Sequence, residues 1–132
     1  MSAASWNQQG CQLCEQEQYS EAIAAFDQAI SLAPSFAEAW NNRGNALSGL
    51  KRFAEALGSY DRAVLMQPDH HQAWFNRGLL LTEMQAYGNA LECFDRAIDL
   101  YPDPCYLHAR ETIWLKKKLI PVYQQNESTR RV

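Results

Sequence analysis

Small and aromatic apolar residues recur along this chain at steps of four and three, with polar residues between them, and the whole set returns every 34 residues. Trp6, Gly10 and Leu13 are followed by Ala22, Phe26 and Ala29. The next copy has Trp40, Gly44 and Leu47 with Ala56, Tyr60 and Ala63, and the third has Trp74, Gly78 and Leu81 with Ala90, Phe94 and Ala97. Steps of four and three place each trio on one face of a helix, so each copy reads as two amphipathic helices packed as a hairpin. Tyr19, Phe53 and Tyr87 open the second helix of each pair. Pro34, Pro68 and Pro102 stop it, because proline has no amide hydrogen with which to continue. The pattern predicts helices over 3–16, 19–32, 37–50, 53–66, 71–84 and 87–100. A side chain added at Gly44, Gly78, Ala56 or Ala90 would overpack the hairpin at a cost of roughly 1–3 kcal/mol.

A unit this short cannot bury its apolar face alone, so the copies stack into a solenoid whose product is an extended surface. Trp, Gly, Ala, aromatic, Ala and Pro at these offsets resemble the tetratricopeptide repeat, over residues 3–102. The resemblance implies an all-α, right-handed superhelical solenoid with repeats at 3–34, 37–68 and 71–102. It is not met everywhere. Gln9, Arg43 and Arg77 stand where the family often has Leu, and Glu17, Lys51 and Gln85 where it often has Gly at the turn; both sets read as surface variation. After Pro102, His108, Thr112 and Leu115 take the Trp, Gly and Leu positions and no partner helix follows. Residues 104–119 therefore read as a capping helix of the same domain, with Leu107, Trp114, Leu115 and Leu119 covering the last repeat. Lys116, Lys117 and Lys118 suit the negative end of its dipole, Pro121 ends it, and 120–132 is a flexible polar tail.

At 132 residues, 47% of them hydrophobic, the chain holds enough apolar material for one continuous core. It has no apolar run near the roughly 18 residues of a membrane span. Its start lacks the charge and apolar stretch of a signal peptide, so the expected location is cytoplasmic. Residues 116–132 hold five basic side chains and one acidic, which within a net charge of −3 leaves the first 115 residues at −7. Nucleic acid is thereby excluded as an expected partner of the solenoid, since phosphate binding needs clustered Lys and Arg.

Cys11 and Cys14 have the spacing of a metal or redox pair, but no second pair follows, and the thiols read as small, partly buried side chains. His70, His71 and His108 fit no ligand spacing. No phosphate loop, nucleophile elbow or gathered Ser, His and Asp appears, so neither enzyme activity nor a cofactor is expected.

The resemblance implies that the first helices line a concave groove. Positions two residues beyond each Trp are then Gln8, Asn42, Asn76 and, in the capping helix, Arg110. An amide offers a donor and an acceptor, so such a row can grip the backbone of an extended peptide; the alternative is that it hydrates the groove or caps neighbouring helices. The carboxylate clamp of chaperone-tail receptors fits poorly. In one register only Asn42 of Asn7, Cys11, Asn42, Gln72 and Asn76 matches; in the next, Asn41, Asn45, Asn76, Tyr106 and Arg110 supply both Asn and the Arg but neither Lys. Phe75 and Tyr106 suit an apolar or aromatic anchor instead. The expected role is a protein or peptide adaptor in assembly. The rival is a self-associating structural subunit, weakly dimeric through Trp114 and the capping helix.

Overall fold

A computed structural model describes the backbone of residues 1–130 and the side chains of residues 1–117. Among these it holds seven helices and no strand: α1 (Ala3–Glu15), α2 (Tyr19–Leu32), α3 (Ala37–Gly49), α4 (Phe53–Met66), α5 (His71–Glu83), α6 (Tyr87–Leu100) and α7 (Pro104–Arg130). The first six match the predicted spans, with α1, α3 and α5 ending one residue early. Each of these three ends in a left-handed residue, Glu17, Lys51 or Gln85, at φ 59°, 59° and 61°. That turn lets the amides of Gln18, Arg52 and Ala86 reach back to the carbonyls of Leu13, Leu47 and Leu81 at 2.8–2.9 Å, closing orphan carbonyls of the last turn. Side chains at such positions cost about 1–2 kcal/mol each, so the missing turn glycines leave strain in the backbone as well as changing the surface.

Close approach within each pair is set by glycine against an aromatic ring. A Cβ on Gly10 would lie 2.4 Å from Phe26, one on Gly44 2.6 Å from Tyr60, and one on Gly78 2.6 Å from Phe94, all three rings being buried. First helices of successive pairs also touch, α1 with α3 and α3 with α5, while no comparable contact joins α2 to α4 or α4 to α6. The stack therefore curves with the first helices inside. Trp40 and Trp74 donate from Nε1 to the carbonyls of Pro34 and Pro68 at 2.9 and 2.8 Å, tying each repeat to the loop before it.

Arg43 and Arg77 staple the outer side. Arg43 donates from Nε to Asp27 at 2.7 Å and from Nη1 to the buried Ser59 hydroxyl at 2.8 Å, and Arg77 does the same with Asp61 at 2.7 Å and Cys93 at 2.9 Å. Each guanidinium thus joins the second helix of the preceding repeat to that of its own. Residues that read as surface variation hold the stack together.

α7 corrects two expectations. It runs on to Arg130 instead of stopping at Pro121, so the helical span replaces both the 104–119 boundary and the flexible tail from residue 120. A proline forfeits one backbone bond at a cost of about 3 kcal/mol, but Val122 to Glu127 contain no Gly or second Pro to enforce the stop. Lys116 and Lys117 consequently lie in the middle of the helix. Its inner face is Tyr106, Ala109 and Ile113, whereas Leu107, Trp114 and Leu115 are 40%, 47% and 47% exposed. Leu107 and Leu115 hold the register of Ala73 and Leu81, which pack on a hairpin partner, and α7 has none among the described residues. Leu119 lies outside the described side chains.

Candidate functional site

The inner face of α1, α3 and α5 carries the predicted amide row, and its amides first of all hold the helices together. Asn42 donates from Nδ2 to Asn7 Oδ1 at 3.0 Å and to Cys11 Sγ at 3.4 Å, and Asn76 donates to Asn41 Oδ1 at 3.1 Å. Asn7 and Asn41 are 8% and 4% exposed. Each rung joins residues 35 apart and satisfies a carbonyl that water does not reach. Among the described residues the Oδ1 atoms of Asn42 and Asn76 and one amide hydrogen of Asn76 have no partner, so the row offers a ligand two acceptors and a donor. Gln8 stands exposed at the start of the row and makes no such rung.

The third rung is replaced. Residue 75 is phenylalanine, which has nothing to accept with, and Arg110 turns to α6, where Nη1 meets Asp95 at 3.2 Å. Glu111 explains the switch: it stands in register with Arg43 and Arg77, so Asp95 takes its cation from the neighbouring residue. Arg110 there lines a cavity of about 600 Å³ with Leu91, Leu107 and Trp114, away from the amide row. Phe75 stacks on Tyr106 at 4.3 Å, and the Tyr106 hydroxyl meets His71 Nδ1 at 2.8 Å. Tyr106 is buried, so this pair walls off the end of the row instead of presenting an anchor.

Asn45 and Asn76 do come together, across the joint between the second and third repeats. They line a cavity of about 480 Å³ with Ser48, Lys51, Phe53, Leu79 and Glu83. Leu79 is 42% exposed. The Tyr60 hydroxyl donates to Asn45 Oδ1 at 2.6 Å, and burial pushes its pKa up to about 12, so it stays a donor. Ser48 Oγ is buried beside the same hydroxyl, whose oxygen stays open to the Ser48 proton while the Tyr60 proton goes to Asn45. One substitution in the repeat opens this joint. In the second repeat Gly49 lets the Tyr19 ring lie against the backbone, where an added Cβ would sit 2.8 Å from Cζ; the third repeat has Glu83 there, which denies Phe53 that seat. Sequence reasoning passed over Leu79 and Ser48. The available signal was a leucine in the register of Cys11 and Asn45, an apolar residue in an otherwise polar row.

Burial raises the Cys11 thiol, helped by Glu38 and Glu15, and with Cys11 nearby it raises Cys14 to about 11. Both are protonated near neutral pH. Among the described residues no three His, Cys, Asp or Glu side chains gather as a metal site would require.

A family model described as "Tetratricopeptide repeat" matches residues 45–112, just over half of the chain, and one described as "TPR repeat" matches residues 10–51. The chain belongs to the tetratricopeptide repeat family. This TPR domain is similar in fold to the first TPR of Spaghetti (RPAP3) bound to HSP90 peptide SRMEEVD. The TM-score is 0.85 at 23% identity, over 89% of this chain and 94% of that one. The first TPR domain of human RPAP3 gives 0.83 at 24% identity, over 86% and 90%. The Sgt2 TPR domain from Aspergillus fumigatus gives 0.83 at 24%, over 92% and 82%. No curated protein matches the chain. In this TPR domain no helix of the described residues is long and apolar enough to cross a membrane.

Proposed function

We propose that this TPR domain is a protein-interaction module that holds an extended segment of a partner protein on the concave face of α1, α3 and α5. The observation that carries the reading is the cavity at the second joint, where an exposed leucine and an unengaged asparagine carbonyl meet in a space of about 480 Å³. A floor of apolar groups with a few convergent polar atoms is what side-chain recognition uses. The Spaghetti TPR, similar in fold, is bound to an HSP90 peptide, which supports a peptide-sized occupant here. Its acidic sequence is a poor guide to this groove. The two clamp lysines are absent, both amide hydrogens of Asn42 are spent on Asn7 and Cys11, and Arg110 is paired with Asp95.

Two matched variants test the reading. Leu79 and Leu65 are both exposed leucines, one on the concave face and one on α4 outside. Leu79→Glu should weaken capture of the native partner at least ten-fold, equivalent to about 1.4 kcal/mol, with the fold intact. Leu65→Glu should leave capture unchanged. Loss with Leu65→Glu alone would place the partner on the outer helices and overturn the proposal.

A further inference from the structure

The concave face is uneven in charge and in hydrogen-bonding sense, and that unevenness narrows what it can hold. Among the described residues Asn42 spends both amide hydrogens on Asn7 and Cys11 and keeps Oδ1 as a free acceptor, while Asn76 spends one on Asn41 and keeps Oδ1 and one hydrogen. Asn45 Oδ1 already receives the Tyr60 proton. Glu83 stands on the rim of the cavity with no ion pair among the described residues, and Glu15 and Glu38 are close enough to Cys11 to act on its thiol. Lys51 is the cation that lines the same cavity as Glu83. A free C-terminal carboxylate finds amide hydrogens on Asn45 and Asn76 but adds negative charge to a face with three carboxylates against the ammonium of Lys51. A backbone amide, an ammonium or a guanidinium meets partners.

We infer that the second joint is an anchor subsite for one apolar side chain flanked by a lysine or arginine, within an internal extended segment of the partner. The inference rests on the concave-face reading above and names its ligand. The apolar side chain lies over Leu79, beside the half-buried ring of Phe53. The basic neighbour reaches Glu83, and backbone amides run toward the carbonyls of Asn76 and Asn42. The segment's length follows from the architecture. Three first helices at interaxial spacings of about 8–10 Å span roughly 20 Å. An extended chain rising about 3.3 Å per residue covers that in about six residues. The Phe75–Tyr106 wall then ends the groove.

The test uses the full chain labelled with ¹⁵N and four probes. The first is Ac-Ala-Ala-Leu-Arg-Ala-Ala-NH₂, the second has Glu for Arg, the third has Ala for Leu, and the fourth is the uncapped heptapeptide SRMEEVD. The Arg peptide should shift the Asn45 and Asn76 side-chain amides and the backbone amides of Leu79 and Glu83. Replacing Leu should weaken it roughly ten-fold, as loss of a mostly buried apolar side chain does. Replacing Arg by Glu should weaken it about three-fold, the scale of an exposed ion pair, with Lys51 sparing part of the loss. Glu83→Lys, at an exposed position that leaves the fold alone, should reverse the preference between the Arg and Glu peptides. Equal binding of those two peptides, no reversal with Glu83→Lys, or tighter binding of SRMEEVD than of the Arg peptide would overturn the ligand assignment while leaving the groove standing. Shifts confined to α2, α4 and α6, or no shift at millimolar peptide, would overturn the groove reading itself.

Discussion

At the joints α1/α3 and α3/α5 a buried asparagine carbonyl accepts from the next repeat and an arginine reaches back to an aspartate. At the joint α5/α7 a phenylalanine stacks on a tyrosine and the arginine has moved one place along the helix. The 34-residue plan is the same in all three. What differs is whether another hairpin partner follows. Inside the stack each first helix is gripped on two sides, so its small residues and amides must repeat. α7 is gripped on one side, and Thr112 and Glu111 can stand where glycine and arginine stood.

The sharpest way to break that comparison is to put the same bulk at equivalent positions. Gly78→Leu forces a side chain into the Phe94 ring, at about 3 kcal/mol, and should lower the melting temperature by on the order of 10 °C. Thr112→Leu, in the same register on α7, should shift stability by no more than about 0.5 kcal/mol, because no helix of the described residues packs there. Equal loss in thermal melts would mean that α7 has a partner on its open side.

The rungs give a smaller effect. Asn42→Ala leaves Asn7 Oδ1 buried without its donor, at about 1–3 kcal/mol, so this change lowers stability as well as altering the groove. Arg110→Ala removes an ion pair exposed by 42% and 58% on its two sides and should cost about 0–1 kcal/mol. Urea titrations of the two variants separate a structural rung from a surface pair.

Glycine should act with opposite sign in the two regions. Gln85→Gly relieves a left-handed residue and should stabilise by about 0.5–1 kcal/mol after glycine's entropy cost. Glu111→Gly, on an exposed turn of α7, should destabilise by about 1 kcal/mol. The smallest effect is chemical. With its pKa near 11, only on the order of a thousandth of Cys14 is thiolate at pH 8, so it should alkylate long after the exposed Cys105, its rate rising about ten-fold per pH unit until the pH nears 11. Early labelling of Cys14 would contradict its burial.

Much of this was legible in the sequence because it depends on local spacing. Glycine opposite an aromatic ring, proline after the second helix and the six helix spans all follow from residues within one repeat. The rungs were not legible, because which asparagine meets which depends on the tilt between repeats, a step of 35 and not 34. The arginine staples left a trace that went unread: Asp27, Asp61 and Asp95 recur 34 apart, with Arg43 and Arg77 each 16 residues after an aspartate. Register alone places Arg110 in the amide row, and the pull of Asp95 outweighs it. Pro121 reads as a helix stop, where in this chain it interrupts a helix that continues.

Amide hydrogen exchange of the domain alone and with its native partner tests the central claim most directly. Protection should appear in 41–49 and 76–83, the groove-lining parts of α3 and α5, with α2, α4 and the outer face of α6 unchanged. Protection confined to the second helices would contradict a concave recognition surface.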